Sequence, residues 1–346
     1  MVGRRSSPPY TYYTRTTKEG GTVIIDWDNI KKNGWTPKHH DQKLRILSID
    51  GGGIRGIFPA RYLSKIESEI GQPIANYFDL IVGTSTGGII ALGLAAGIPA
   101  ETILSLYKDN VRKIFKKTVL TSIRSCGGVL RHKYDVKYLE QMLQTTFGST
   151  KIKDAQTMLC IPAVEHHNAS PKVYKTPHHK SLHIDGEIFM WEAARATSAA
   201  PTIFPAYTME TEAKLDGGLW ANNPVMVGIS EALYNGCSVN NIKVLSLGTG
   251  VNPYTLSKKR AQNNSIFAYK AKLVDLVFNV QTASALNMGS YIIGDNLLRI
   301  DFHNNTCIQL DSSSDQDLQV MLTEADQEFA NSFKSCGHNI CQHFFA

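Results

Sequence analysis

A serine framed by glycines, Gly83-Thr84-Ser85-Thr86-Gly87, stands between two apolar runs, Phe78 to Val82 and Ile89 to Ala96. The first run is predicted as a buried strand and the second as a buried helix. A chain that turns from strand to helix within one or two residues strains the backbone at the turn and lifts that side chain off the sheet edge. Gly83 and Gly87, two positions either side, let the flanking segments approach closely. Ser85 then sits beside a helix N-terminus, which favours developing negative charge. The chemistry these residue types suit is nucleophilic attack by a hydroxyl.

A second turn of the same kind, Gly51-x-Gly53-x-x-Gly56, follows the predicted strand Leu44 to Ile49. Alone it matches a dinucleotide-binding fingerprint, yet the acidic residue that should end the next strand is missing, and Asp79 lies at that strand's start. Successive glycines also expose backbone N–H groups, an arrangement that suits an oxyanion equally well. Parallel neighbouring strands would bring this turn beside Ser85, and a nucleophile next to a row of N–H donors is an acyl-transfer site. The serine needs a base. His303, His338 and His343 are late in the chain, but none is framed by a distinctive loop. Asp216, in Asp216-Gly217-Gly218 ahead of Asn222-Asn223-Pro224, is well framed. As a base it requires partial desolvation, since a free aspartate has a pKa near 3.9.

The elements that must position these groups alternate. Strand, turn and helix occur twice between Leu44 and Gly97, the rhythm of an α/β fold with a parallel sheet. Helices are expected at Phe58–Ile70, from Pro99 with Ile103, Tyr107, Val111 and Ile114 inward, at Asp135–Phe147, Met190–Ser198, Lys272–Met288 and Gln316–Phe333. Strands are expected at Met158–Val164, Lys172–Thr176, Lys243–Leu247 and Leu297–Phe302, with a short edge strand at Thr22–Trp27. The chain of 346 residues carries 42% hydrophobic and 19% charged residues and no apolar leader, and its most apolar run, Ile89 to Ile98, is half a membrane span. Six cysteines are too few for a disulfide framework and fit a reduced cytosolic protein. The net charge of +6 is local: Lys108 to Lys133 holds eight basic residues against one acid. Such a patch points to a phosphate-bearing partner, whether membrane surface, lipid head group or nucleotide.

Taken together, Asp-Gly-Gly-Gly-Ile-Arg-Gly at 50–56, Gly-Thr-Ser-Thr-Gly at 83–87, Ala-Thr-Ser-Ala-Ala-Pro at 196–201, Asp-Gly-Gly at 216–218 and Ser-Leu-Gly-Thr-Gly at 246–250 resemble, in order and spacing, the patatin-like phospholipases. The resemblance runs from about Leu44 to Phe302. It implies a three-layer α/β/α sandwich on a mostly parallel sheet and a phospholipase A-type lipid acyl hydrolase. Its Ser–Asp dyad would be Ser85 as nucleophile and Asp216 as base. Oxyanion donors would be Gly51, Gly52 and Gly53, with Arg55 supporting their loop, and no metal or catalytic cofactor is implied. The domain organisation expected is an N-terminal extension, 1–43, a catalytic domain, 44–302, and a helical segment, 303–346, packed on it. A general esterase, a lysophospholipase and, more remotely, a dinucleotide-binding protein are the rival readings.

The short layout also resembles stand-alone patatin-like effectors of antiphage systems. That implies a cyclic di- or trinucleotide activator, membrane phospholipids as substrate, and a cytoplasmic enzyme peripheral to the inner face of the membrane. A homo-oligomer is left open, and no DNA or RNA partner is expected. Lys108–Lys133 then reads as lid, membrane patch or nucleotide contact, with Lys258–Arg260 as further phosphate contacts. Cys336-x-His338-x-x-Cys341-x-His343 fits no standard zinc spacing. Asp311-x-x-x-Asp315-x-Asp317 lacks the glycine and final glutamate of a calcium loop and suits a helix start. The pair His39-His40 and the five histidines from His166 to His183 read as surface.

Overall fold

A computed structural model describes residues 39, 41–116, 132–179, 184–209, 212–253, 262, 272–304, 307–334 and 340–345. The expected Thr22–Trp27 strand, residues 117–131 of the basic segment, Lys258–Arg260, Cys336 and His338 lie outside the described residues.

The run Leu44-Arg-Ile-Leu-Ser-Ile49 forms β1, buried at every position. A strand covered on both faces has no need of polar alternation, which is why its sequence is nearly continuous hydrophobe. The other strands are β2 (Leu80–Gly83), β3 (Met158–Glu165), β4 (Ser170–Lys175), β5 (Tyr207–Met209), β6 (Glu212–Asp216), β7 (Ile242–Leu247) and β8 (Leu297–Ile300). They make one sheet in the order β5-β6-β3-β2-β1-β7-β8, with β4 paired to β3. β3, β2, β1, β7 and β8 are mutually parallel, while β4 and β6 run antiparallel to β3.

Helices α1 (Ile57–Ile70), α2 (Thr86–Ala95), α3 (Ala100–Ile114), α4 (Lys137–Phe147) and α5 (Met190–Thr197) cover one face, joined by α8 (Asp315–Phe329). Leu47, Ile49, Ile81 and Leu245 point into this layer. The alternate residues Ile46, Leu80, Val82 and Val244 face α6 (Val225–Tyr234) and α7 (Lys272–Ile293). The period-2 alternation of a strand thus divides the core into two layers, and the fold is the three-layer α/β sandwich. α2 is buried on all sides, so Ile89 to Ala96 shows no helical period.

Two differences from the sequence reading have local causes. α6, a helix the sequence reading does not assign, begins directly after the polar loop Asn222-Asn223-Pro224; Asn223 Oδ1 accepts the Val225 N–H (3.0 Å) at its start. α7 continues past Met288 to Ile293, because Gly289 packs against Leu297 and Val225 instead of breaking the helix. The acidic run near Asp315 does open a helix, with Ser314 accepting from the Asp317 N–H. From Ile308 to Phe344, the C-terminal segment shares the core of the α1 face.

Candidate active site

Register alone brings the two candidate residues level. Val82 of β2 pairs with Cys160 of β3, and Ala163, three residues further, pairs with Asp216 of β6. Ser85 is three residues beyond Val82, so the antiparallel β6 delivers its last residue to the place where the parallel β2 has just ended. Ser85 Oγ and Asp216 Oδ2 are 2.7 Å apart. Among the described residues no late histidine is in this constellation: His343 lies with Lys243 and Arg45, and Arg45 belongs to the start of β1.

Ser85 has φ 54°, ψ −120°, the strained turn expected between strand and helix. The flanking glycines make it feasible. A Cβ on Gly83 would overlap the Gly87 carbonyl, and one on Gly87 the Ile49 carbonyl. The Ser85 N–H donates to Thr197 Oγ1 (2.9 Å), whose hydroxyl in turn donates to the Pro162 carbonyl (2.5 Å). Thr197, the threonine of Ala-Thr-Ser-Ala-Ala-Pro, thereby clamps the elbow to β3.

Asp216 is 3% exposed. Its Oδ1 accepts the Gly218 N–H (2.7 Å), and its own N–H donates to Ala199 (3.1 Å). Burial pushes its pKa up to about 7, against the opposing pull of the Gly218 and Ser85 hydrogen bonds and the Arg195 charge. Arg195 is buried on α5, donates to Glu140 (2.9 Å) and the Pro205 carbonyl (2.8 Å), and lies over the Tyr207 ring.

The glycine turn after β1 lies alongside, with one correction to the expected set. The Gly51 N–H is engaged with the Asn222 carbonyl (2.9 Å) and does not line the cavity; Gly52 and Gly53 do. Gly51 is committed because it ties β1's end to the loop after Asp216. Gly53 has φ 58°, and a Cβ there would strike the Leu310 carbonyl, so glycine is required. Arg55 is buried and reaches the Gly52 carbonyl with Nε (3.4 Å) and the Gly250 carbonyl with Nη1 (3.3 Å), joining two sheet-end turns.

Sequence reasoning missed the ion network beneath this loop. Arg299 of β8 bridges Asp50 (2.6 Å) and Asp301 (2.7 Å) and also donates to Ser246 (2.7 Å). Asp301 accepts the Gly250 N–H (2.8 Å), and Thr249 Oγ1 donates to the Gly51 carbonyl (2.9 Å). Burial raises the Asp50 carboxyl to about 6 despite Arg299. The partners are some 250 residues apart, and only the Asp-Gly-Gly-Gly motif marked one end.

Above the dyad opens a cavity of about 200 Å³ whose walls are mostly apolar: Ile89, Val111, Ile114, Leu139, Met142 and Phe204 among them. Tyr107, on α3, donates its hydroxyl to the Thr86 carbonyl (2.9 Å) and fixes α3 against the start of α2. Of the basic segment, Lys133 borders the cavity and pairs with Asp311 (3.1 Å), while Arg112 pairs with Asp315. Of the histidine-rich stretch, His167 lies near Glu165 and Glu212, both already paired with Lys214.

The arrangement is a hydroxyl paired with a desolvated carboxylate, beside backbone donors, below an apolar channel. Comparison with known proteins gives the family. Residues 47–229 match the family model described as patatin-like phospholipase. A "cGAMP-activated phospholipase" of Pseudomonas aeruginosa (strain BWHPSA011 / Pa011) is 34% identical over 258 residues, covering 74% of this chain and 77% of the relative. One so named from Vibrio cholerae serotype O1 is 36% identical over 244 residues, covering 64% and 68%. "Patatin-T5" of Solanum tuberosum is 27% identical over 330 residues, covering 81% and 82%. This chain belongs to the patatin-like phospholipase family and is a lipid ester hydrolase.

Proposed function

We propose that Ser85 and Asp216 form the catalytic dyad of a phospholipase A-type enzyme acting on membrane phospholipids. The observation that carries this reading is the 2.7 Å contact between Ser85 Oγ and the buried Asp216 carboxylate at the base of an apolar cavity. Ionised Asp216 takes the hydroxyl proton as Oγ attacks the acyl carbonyl. The oxyanion is met by the N–H groups of Gly52 and Gly53 and by the α2 N-terminus. The tetrahedral intermediate collapses, the lysophospholipid alcohol leaves with the proton from Asp216, and the acyl group remains on Oγ. Asp216 then deprotonates a water that attacks this ester, and a fatty acid departs as Ser85 regains its hydrogen. The acyl chain lies along Ile89, Val111, Leu139 and Phe204.

Activation by a cyclic dinucleotide is supported by the names of the Pseudomonas and Vibrio relatives, each a cGAMP-activated phospholipase. In that reading the protein works in the cytoplasm at the inner membrane face, degrading the bilayer as an antiviral response. The test is fatty-acid release from phosphatidylethanolamine vesicles by purified protein, with and without cGAMP. Release is expected with cGAMP and absent from Ser85→Ala and Asp216→Ala, both still folded. Retained hydrolysis by Ser85→Ala would refute the dyad, and equal release without the nucleotide would refute the switch.

A further inference from the structure

Helix α7 carries no charged residue from Leu276 to Ile293, in a chain with 19% charged residues. Yet Val277, Val280, Met288 and Tyr291 are 38%, 58%, 46% and 88% exposed. With Ser284 between them, their spacing of three and four places them along one side of the helix. From Val277 to Tyr291 that side extends about 21 Å at 1.5 Å per residue. A charge-free exposed strip of this length beside a pocket marks an interaction surface.

The strip begins at the cavity. Asp275 and Phe278, in the first turns of α7, line it. Gln281 donates from Nε2 to the Leu219 carbonyl (2.7 Å) and accepts the Asn222 N–H on Oε1 (3.2 Å), fastening α7 to the turn that follows Asp216. Leu219 both lines the cavity and is 42% exposed. Apolar surface therefore passes from the cavity mouth, across Leu219, onto α7.

Resting on the reading that the substrate is a bilayer lipid, we propose that Leu219 and the exposed side of α7 seat the enzyme on a phospholipid bilayer, at the boundary between head groups and acyl chains. An acyl chain can then enter the cavity without crossing water. A second copy of the chain is the poorer occupant. Among the described residues the exposed large apolar side chains of this surface are Leu219, Val277, Val280, Met288, Tyr291 and Ile292, whereas a stable protein interface uses about 20–30 residues a side. No helix among the described residues is long and apolar enough to cross a membrane, so α7 lies on the surface. Because the strip is uncharged, its share of the affinity does not respond to salt, unlike attraction through the basic residues of α3.

The test compares vesicle partition of the full-length chain with that of Val280→Glu, Tyr291→Glu and the double variant. All are made in the Ser85→Ala background, so that vesicles of phosphatidylethanolamine with some phosphatidylglycerol stay intact. The same substitutions with Ser85 present are assayed on a monomeric short-chain ester, and cGAMP is present in every assay. The double variant is expected to bind vesicles at least ten-fold more weakly while hydrolysing the dispersed ester at the unsubstituted rate. The ten-fold loss should persist in half-molar sodium chloride. Vesicle affinity unchanged in the double variant, a parent chain that does not bind vesicles, or loss of short-chain hydrolysis would each overturn the proposal. So would a dimer that the substitutions dissociate with vesicle affinity unaltered, which would assign the strip to a second copy. Failure of the dyad is seen separately, as short-chain hydrolysis by Ser85→Ala.

Discussion

Asp216 has two demands on it that pull in opposite directions. As a base it must be ionised, and as a buried group it is more stable neutral, which is why its pKa rises to about 7. Hydrolysis of a soluble ester should therefore fall about tenfold per pH unit below about 7 and level off above it, as a pH–rate profile will read. Stability has the opposite sign. The folded state binds the proton through a window from about 7 down to the unfolded value of 3.8, so folding is strengthened as pH falls through that window and weakened as it rises. Asp216→Asn keeps an acceptor for the Gly218 N–H and removes the buried charge. It should abolish hydrolysis yet raise Tm near pH 8, by about 1–2 °C for each kcal/mol gained in a chain of this length. The difference should shrink as pH approaches 4. A Tm lowered at pH 8 would mean that the Ser85 and Gly218 hydrogen bonds outweigh the desolvation of the carboxylate.

Strand ends are the elements on which the site is assembled, and one side chain from the far end of the sequence keeps three of them in register. Arg299 on β8 joins Asp50, at the end of β1, to Asp301, which holds the turn after β7. Removing it leaves two carboxylates with their shared cation gone, Asp50 fully buried among them. Arg299→Met should cost about 3–5 kcal/mol in urea unfolding, the loss expected when one partner of a buried ion pair is deleted. Arg299→Lys should recover part of this, because one ammonium cannot reach both carboxylates and Ser246 as the planar guanidinium does. How far the sequence revealed this site follows from what is local. The elbow at Ser85, the glycine turn at Gly51–Gly53 and the strand–helix alternation are written in contiguous residues whose spacing has a steric cause. By contrast, the commitment of the Gly51 N–H to Asn222, the antiparallel entry of β6 beside β3 and the Arg299 bridge depend on pairings between residues about 50 to 250 apart in the chain. No periodicity reports those. Helix α6 escapes the sequence reading for a related reason: it is apolar on the face it presents to β1 and β7, and the polar Asn222-Asn223 that precedes it reads only as a loop, although Asn223 Oδ1 accepts the Val225 N–H that opens the helix.

At the scale of the molecule, the segment after β8 is part of the unit that holds the site. The Leu310 carbonyl accepts the Ile54 N–H (2.9 Å) at the edge of the glycine turn, and Leu310 itself lines the cavity. Arg61 of α1 binds Asp326 of α8 through Nε (2.8 Å) and Nη2 (3.1 Å). Near the other end of the sheet, Phe344 is fully buried against Phe78, with ring centroids 5.6 Å apart, and its carbonyl accepts Arg45 Nη1 (2.5 Å). The tail therefore clasps both ends of the α1 layer and belongs to one cooperative structure with β1 and β2. Phe344→Ala should remove about 3–5 kcal/mol, as deletion of a buried ring does, and shift the whole unfolding transition. Tryptophan fluorescence reports the four tryptophans together, Trp191 on α5 and Trp220 beside β3 among them, and far-ultraviolet dichroism reports the backbone throughout. The two should move to the same lower denaturant midpoint with an unchanged slope. Separation of the midpoints would show that the tail unfolds by itself and that the sheet stands without it. Coincident midpoints make every contact from Ile308 to Phe344 a contributor to the geometry in which Ser85 meets Asp216.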